Sequence, residues 1–385
     1  MSKSVTVVHY WAGCPKSPNS KWHSFLAIVR KCQEQGWRNY LVWSRMPENP
    51  ALVEPFLDAG CEIILQHRSR GNFDLVSVWR TYKLLQQLSC GIFHCYNDHT
   101  SPLIGAALAG VPVRIWSKLA MSPYYEKGMS PKGVHRLMPS TRVSCLCAHR
   151  ILAISDKVGS ELIGTVGFDK KVDTVYVPVD YHRFANAAQG NIRKELYFDQ
   201  SHIVITSVGH AVPVKGWDVA IKAFVQVYQQ NPSARMVLVG DRTSSEYYNQ
   251  LTELIKQYET GENIKFTGKR DDIAEILKAS DIFVLPSRSD GLCCALIEAM
   301  ASGLPCVAAA VGGIPETITH DKNGLLFERE NVGELADRLR RALSDASLRR
   351  SLGDAAKQSA KVFGIETYVK TLFSLYCGLL EKKGV

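Results

Sequence analysis

No run in the 385-residue sequence approaches the roughly eighteen consecutive apolar residues that a membrane-spanning helix needs. The opening Met1-Ser-Lys-Ser-Val-Thr-Val-Val-His9 has the character of a first strand and not of a signal peptide, so a cytoplasmic protein is expected. Zinc-ligand spacing is also missing: no second Cys/His pair accompanies Cys145-Leu-Cys147 or Cys293-Cys294. The cysteines number eleven, an odd total scattered along the chain, which fits a reducing compartment and small buried hydrophobes better than a disulfide framework. No Gly-x-Gly-x-x-Gly follows the first strand, where Gly13 stands alone, so the dinucleotide fingerprint of an oxidoreductase is lacking. Zinc-finger spacing, an aromatic run of the RNA-binding kind and a basic heptad region are all absent, and nucleic acid is not an expected partner. No internal repeat or low-complexity tract appears.

What is present is ordinary soluble composition, 46% hydrophobic and 22% charged, in a chain long enough for two domains. The net charge of +9 is uneven: residues 1–180 hold 21 Lys/Arg against 13 Asp/Glu, whereas residues 181–385 hold 25 against 24. A basic first half fits an anionic membrane face or an anionic acceptor, and equally a dispersed soluble charge, since no long basic block occurs. The stretch from 124 to 149, with Lys127, Lys132, Arg136 and Arg142 and with Arg150 next to it, reads either as such a contact or as an ordinary amphipathic surface helix.

Short apolar runs alternate with helix-period segments along the whole chain, as in doubly wound α/β domains. Strands are expected at 5–9, 39–44, 62–65, 91–95, 111–117, 151–155 and 174–180, and then at 202–208, 235–240, 264–268, 281–285, 306–311 and 323–327. The first domain is placed at 1–184, a linker at 185–191 and the second domain at 192–365. In such domains ligands meet the carboxyl ends of the strands. This draws attention to Gly13 in the loop after the first strand, to Asn97 and His99 after the fourth, and to Lys118 after the fifth. His99, with Asp98 beside it, is the better acid/base candidate than the strand residue His94, which reads as structural.

The richest stretch is Pro286-Ser-Arg-Ser-Asp-Gly-Leu-Cys-Cys-Ala-Leu-Ile-Glu-Ala-Met-Ala-Ser-Gly-Leu-Pro305, running on to Gly312-Gly-Ile-Pro-Glu316. A buried strand, a turn around Asp290 and a helix from Cys294 to Ser302 form a βαβ unit, stopped by Gly303 and Pro305. The helix N-terminus offers free amides and a positive dipole end to an anion such as a diphosphate, through Leu292, Cys293 and Cys294. Asp290 and Glu298 then either accept hydrogen bonds from hydroxyls flanking that anion, or serve as a cap-region residue and a solvated helix residue, Glu298 lying opposite the Leu296/Met300 stripe. In Val208-Gly-His-Ala-Val-Pro-Val-Lys-Gly216 a glycine turn brings Lys215 toward the same sheet edge.

Taken together, the acid, the seven-residue gap, Glu298-Ala-Met-Ala, Gly-x-Pro305 and Gly-Gly-Ile-Pro-Glu316 resemble the donor-site signature of retaining nucleotide-sugar glycosyltransferases of the GT-B fold, in their large fourth family. The resemblance implies two facing doubly wound domains with a cleft between them, the last helix, within 366–385, crossing back onto the first domain. It implies a nucleotide-sugar donor on the second domain, a glycan or lipid-linked acceptor on the first, no metal and no other cofactor. By the same likeness Asp290 stands by the donor sugar where the family has glutamate, and Glu298 binds the ribose. Lys215 and His210 hold the diphosphate, His210 standing where the family has arginine, so weaker or pH-sensitive donor affinity is expected. Arg270 lies in the loop that meets the base, and Gly13 and Asn97 are placed toward the acceptor. Where the family has an N-domain histidine this sequence has Ser117-Lys-Leu-Ala-Met-Ser122, which leaves open a shifted role for Lys118, an unusual donor or reduced activity, His99 remaining the acid/base candidate. No Asp-x-Asp metal motif occurs. A catalytically weak homologue that binds the sugar nucleotide as a partner subunit is the other reading these departures allow.

Overall fold

The computed structural model describes all residues except 1–3, 12, 16–17, 97–99, 120, 122–138, 167, 243 and 259–260. Two compact units divide the chain, one comprising 1–178 and 365–385, the other 179–364. The first holds β1 (Thr6–Tyr10), α1 (Ser20–Glu34), β2 (Arg38–Trp43), α2 (Glu54–Asp58), β3 (Cys61–Leu65), α3 (Leu75–Gln87), β4 (Ile92–Tyr96), α4 (Thr100–Leu108), β5 (Val113–Lys118), α5 (Pro139–Cys147), β6 (Arg150–Ala153), α6 (Asp156–Val166) and β7 (Val172–Thr174). All seven strands run parallel in the order β3-β2-β1-β4-β5-β6-β7. Their near-continuous apolar runs follow from this: Val7, Ile92 and Ile115 pack on one face and Val8, Phe93 and Trp116 on the other.

The second unit opens with α7 (Tyr181–Ala185) and α8 (Ile192–Glu195). It continues through β8 (Ile203–Val208), α9 (Trp217–Tyr228), β9 (Ala234–Val239), α10 (Ser245–Lys256), β10 (Ile264–Gly268) and α11 (Ile273–Lys278). Then come β11 (Ile282–Leu285), α12 (Cys294–Ala301), β12 (Cys306–Ala309), α13 (Ile314–Thr317), β13 (Leu325–Phe327), α14 (Val332–Ser344) and α15 (Ala346–Ala360). The strand order is β10-β9-β8-β11-β12-β13, again wholly parallel. The order reverses at β8, so the connections after β8 and β11 leave the sheet on opposite sides and open a crevice at their carboxyl ends. The last helix, α16 (Ile365–Glu381), returns to the first unit, burying Leu372, Tyr376 and Leu380 at four-residue spacing against Val7, Ile92 and Ile115.

The strand expected at 174–180 ends at Thr174. Pro178 has no N–H to donate, and the Val179 amide goes to the Phe363 carbonyl at 2.8 Å, so the chain leaves the first sheet here. The expected linker at 185–191 lies inside the second unit, where α8 is anchored by Arg193, 2.6 Å from Asp281. The basic stretch is a helix over 139–147; its part at 122–138 lies outside the described residues. Sequence pattern did not predict α15, whose polar face outweighs the buried Leu352, Ala356 and Ala360.

Candidate functional site

Two loops meet at the carboxyl ends of β8 and β11. The loop after β8 turns through Gly216 at φ +67°, and a Cβ there would stand 2.0 Å from the Pro286 carbonyl oxygen, so only glycine fits this approach. Arg288 fastens the contact: its amide donates to Val214 O at 2.7 Å, and its guanidinium holds Asp218 at 2.8 and 3.0 Å and Glu330 at 2.9 Å. These bonds, with Asp218 foremost, hold the Arg288 guanidinium above its ordinary range. Sequence reasoning passed over Arg288, although it stands two residues before Asp290 in the stretch that carries the signature.

With the loops joined, Lys215 Nζ donates to Asp290 Oδ2 at 2.7 Å, and the Ser287 hydroxyl reaches the same oxygen at 3.3 Å. The two charged side chains are largely buried, 20% and 13% exposed. Burial works against the Lys215 ammonium, but the neighbouring thiols and the Asp290 carboxylate outweigh it and hold the group above the usual lysine range. The Cys293 thiol is itself pushed up to about 12, first by burial and then by Asp290, and so is neutral near pH 7. The charge that holds Lys215 is therefore the Asp290 carboxylate.

The same turn leads into α12. Its N-cap, Cys293, makes no side-chain capping bond, and of the first-turn amides its carbonyl accepts that of Leu296 at 3.1 Å. Leu292 and Cys293 are buried and Cys294 half-buried, its thiol pushed upward by burial and by Glu298. Glu298 lies one turn further on the same side as Cys294. The solvated face expected around it is narrower: Leu296, Ile297, Ala299, Met300 and Ala301 are all buried, and Glu298 is half-buried. The helix ends as expected, at Gly303 with φ +82° and its amide on Met300 O at 2.9 Å.

Thus Lys215, Asp290, Leu292, Cys293, Cys294 and Glu298 share one sheet edge. His210 stands in the same loop as Lys215, exposed, with Nδ1 2.6 Å from Asp241. Arg270 is committed elsewhere: Nε and Nη2 hold Asp272 at 2.8 and 2.6 Å, and Nη1 reaches Glu195 at 2.9 Å, tying α8 to the loop before α11. In the first unit, the Gly13 carbonyl accepts from Ser44 N at 3.4 Å. Lys118 ends β5 and is buried. Asn97 and His99 lie outside the described residues. His94 is structural, its ring nitrogens 2.6 Å from Tyr376 Oη and 2.7 Å from Ser117 Oγ. Among the described residues no group of three or more His, Cys, Asp or Glu gathers as a metal site.

Residues 188–359, nearly the whole second unit and all of this edge, match the family described as Glycosyl transferases group 1. The match covers that part of the chain and stops short of the first unit.

The chain is similar to the N-acetyl-alpha-D-glucosaminyl L-malate synthase of Bacillus anthracis, 29% identical over 60% of each chain. The UDP-Gal:alpha-D-GlcNAc-diphosphoundecaprenol alpha-1,3-galactosyltransferase of Escherichia coli is 28% identical over 80% of this chain and 81% of its own. Anabaena HepE, solved in complex with UDP and glucose, superimposes with a TM-score of 0.78 over 97% of this chain and 100% of its own, at 18% identity. That likeness shows the fold, which is GT-B as the signature implied.

Proposed function

We propose that this chain is a group 1 glycosyltransferase that moves a sugar from a nucleotide-sugar donor to a glycan or lipid-linked acceptor, with retention of anomeric configuration and without a metal ion. The observation that carries the reading is the Lys215–Asp290 pair beside the N-terminus of α12, with Glu298 one turn along. Glycosyl transfer puts positive charge on the anomeric carbon and negative charge on the departing diphosphate, so the site needs cations and donors at the phosphates. Lys215, His210 and the amides of 292–294 supply them. Asp290 faces the sugar, Glu298 takes the ribose hydroxyls, and the acceptor hydroxyl attacks on the leaving-group side, a diphosphate oxygen removing its proton. The second unit holds the donor and the first the acceptor, with Gly13, Asn97, Lys118 and His99 on that side. The names of the relatives support a UDP-sugar and a lipid-linked acceptor, and with the basic first half they support peripheral contact with an anionic membrane face.

The test is hydrolysis and transfer with UDP-, GDP- and ADP-sugars, without added metal, on wild type, Lys215→Ala and Glu298→Ala. One donor should be turned over. Lys215→Ala should lower its turnover on the order of 100-fold or more, as loss of one charge-stabilising donor does. Glu298→Ala should raise KM about 10- to 100-fold with less effect on kcat, the mark of a ground-state contact. Tight donor binding without turnover over a broad acceptor set would replace the transferase by a non-catalytic partner.

A further inference from the structure

Helix α3 of the first unit carries apolar residues on its outer side as well as its inner one. It buries Ser77, Val78, Thr81 and Leu85, while Leu75, Val76 and Trp79 are more than half exposed, as is Phe73 just before it, reaching 79% at Leu75. The inward side has a packing cause. A Cβ on Gly105 of α4 would stand 2.6 Å from Val78 O and 2.9 Å from Thr81 Cβ, so the helices touch and only small side chains fit between them. Among the described residues no such cause accounts for the outward side. Four large apolar side chains within seven residues form the kind of patch that marks an interaction surface.

The charge around the patch has one sign. Arg68, Arg70, Arg80 and Lys83 stand against a single acid, Asp74, between residues 65 and 87. The Asp74 carboxylate is committed to the amides of Arg70, Val76 and Ser77 as the cap of α3. No ion pair joins Arg70 or Arg80 to a described residue. Beside the apolar residues, His67, Arg68, Arg70, Asp74, Ser77 and Arg80 line a pocket of about 620 Å³. The buried Ser77 hydroxyl there makes no hydrogen bond of standard geometry. Lys83 lies 5.9 Å from the Trp79 ring, an aromatic and a cation side by side on the outer face.

We propose that this surface docks on an anionic phospholipid bilayer, with Leu75, Val76 and Trp79 entering the headgroup layer and the arginine pocket receiving a lipid phosphate. Apolar insertion flanked by arginine and lysine is the chemistry of interfacial binding, and a tryptophan at the boundary suits its half-polar ring. The proposal gives the membrane contact a place on the molecule, at α3, and needs neither donor nor turnover.

The experiment is co-sedimentation of the full chain with vesicles of phosphatidylcholine alone and of phosphatidylcholine with phosphatidylglycerol. Binding is expected to the anionic vesicles and to weaken with salt. The combined Arg70→Gln, Arg80→Gln, Lys83→Gln variant should partition roughly 100-fold less well, about fivefold per charge. Leu75→Ser with Trp79→Ser should also lose binding, and both variants should melt like wild type, since the altered side chains are exposed. Equal binding by wild type and both variants overturns the proposal, as does absence of vesicle binding. Saturable uptake of pyrophosphate by wild type but not by the triple variant, with no vesicle binding, would assign the pocket to a soluble anion and overturn the bilayer. An inactive protein that binds anionic vesicles through these residues would refute the transferase reading and leave this one standing.

Discussion

On the proposed reading Lys215 has two anions to serve, the Asp290 carboxylate at 2.7 Å and the diphosphate of an arriving donor. Its ammonium is held above the ordinary lysine range, so the stabilisation from this pair is complete below the unfolded lysine value and is lost only as strongly alkaline pH passes through the raised one. Near neutrality the pair is intact, and a donor must draw the ammonium partly away from Asp290. Asp290→Asn removes the competitor while leaving the cation. Nucleoside-diphosphate affinity should then rise severalfold, up to about tenfold for one charge-assisted bond, while transfer falls through loss of the carboxylate at the sugar. Titration calorimetry beside initial rates reads both, and weaker nucleotide binding in the variant would count against the exchange. Lys215, Asp290 and Glu298 were legible as separate signature positions in the sequence. That Asp290 and Lys215 bind each other was not, because 75 residues separate them and only the joined loops bring them within reach.

At the scale of elements, the site is a junction of two loops as much as a set of side chains. Gly216 sits at positive φ against the Pro286 carbonyl, so Gly216→Ala combines backbone strain with a collision of Cβ and a main-chain oxygen. It should cost about 2 kcal/mol or more of unfolding free energy and weaken donor binding, because Lys215 would move with its loop. A variant that unfolds at the wild-type urea midpoint and binds donor normally would show that the loops do not depend on this contact. The bounds of α12 were predicted from sequence to within one residue, since a buried strand precedes it and glycine and proline stop it. Its surroundings were not: five of its eight residues are buried, and a helix covered on most sides gives little periodic signal.

For the whole molecule, the chain's last helix closes the first unit over buried histidines. His94 lies between Tyr376 of α16 and Ser117 of β5, and burial holds it well below the ordinary histidine value. His9, fully buried beside it, is lowered from 6.5 to about 4, chiefly by burial, which outweighs a contact with Asn39. A depressed histidine is neutral in the fold and protonated when unfolded, so stability is present above the unfolded value and is lost as pH falls below 6.5 toward about 4. His9 alone should cost the first unit about 3 kcal/mol across that window. Urea unfolding at neutral and acid pH measures it, and His9→Gln should flatten the dependence; an unchanged slope would show that His9 is not the group that titrates.

The sequence by itself determined the fold class, and its signature residues carried the resemblance to group 1 glycosyltransferases. Buried parallel strands must be nearly all apolar, their connections must be helical, and a phosphate site must carry glycine, a cation and a helix start at fixed spacing, so these requirements are written locally. It determined Lys215, Asp290 and Glu298 as candidates for the same reason. Only the tertiary structure decided which candidates meet. It paired Lys215 with Asp290, committed Arg270 to Asp272 and Glu195, made Arg288 the clasp of the two loops, and turned Leu75, Val76 and Trp79 outward. Those outcomes depend on contacts between residues distant in the chain and on how closely two helices or two loops approach, and no local pattern encodes such distances.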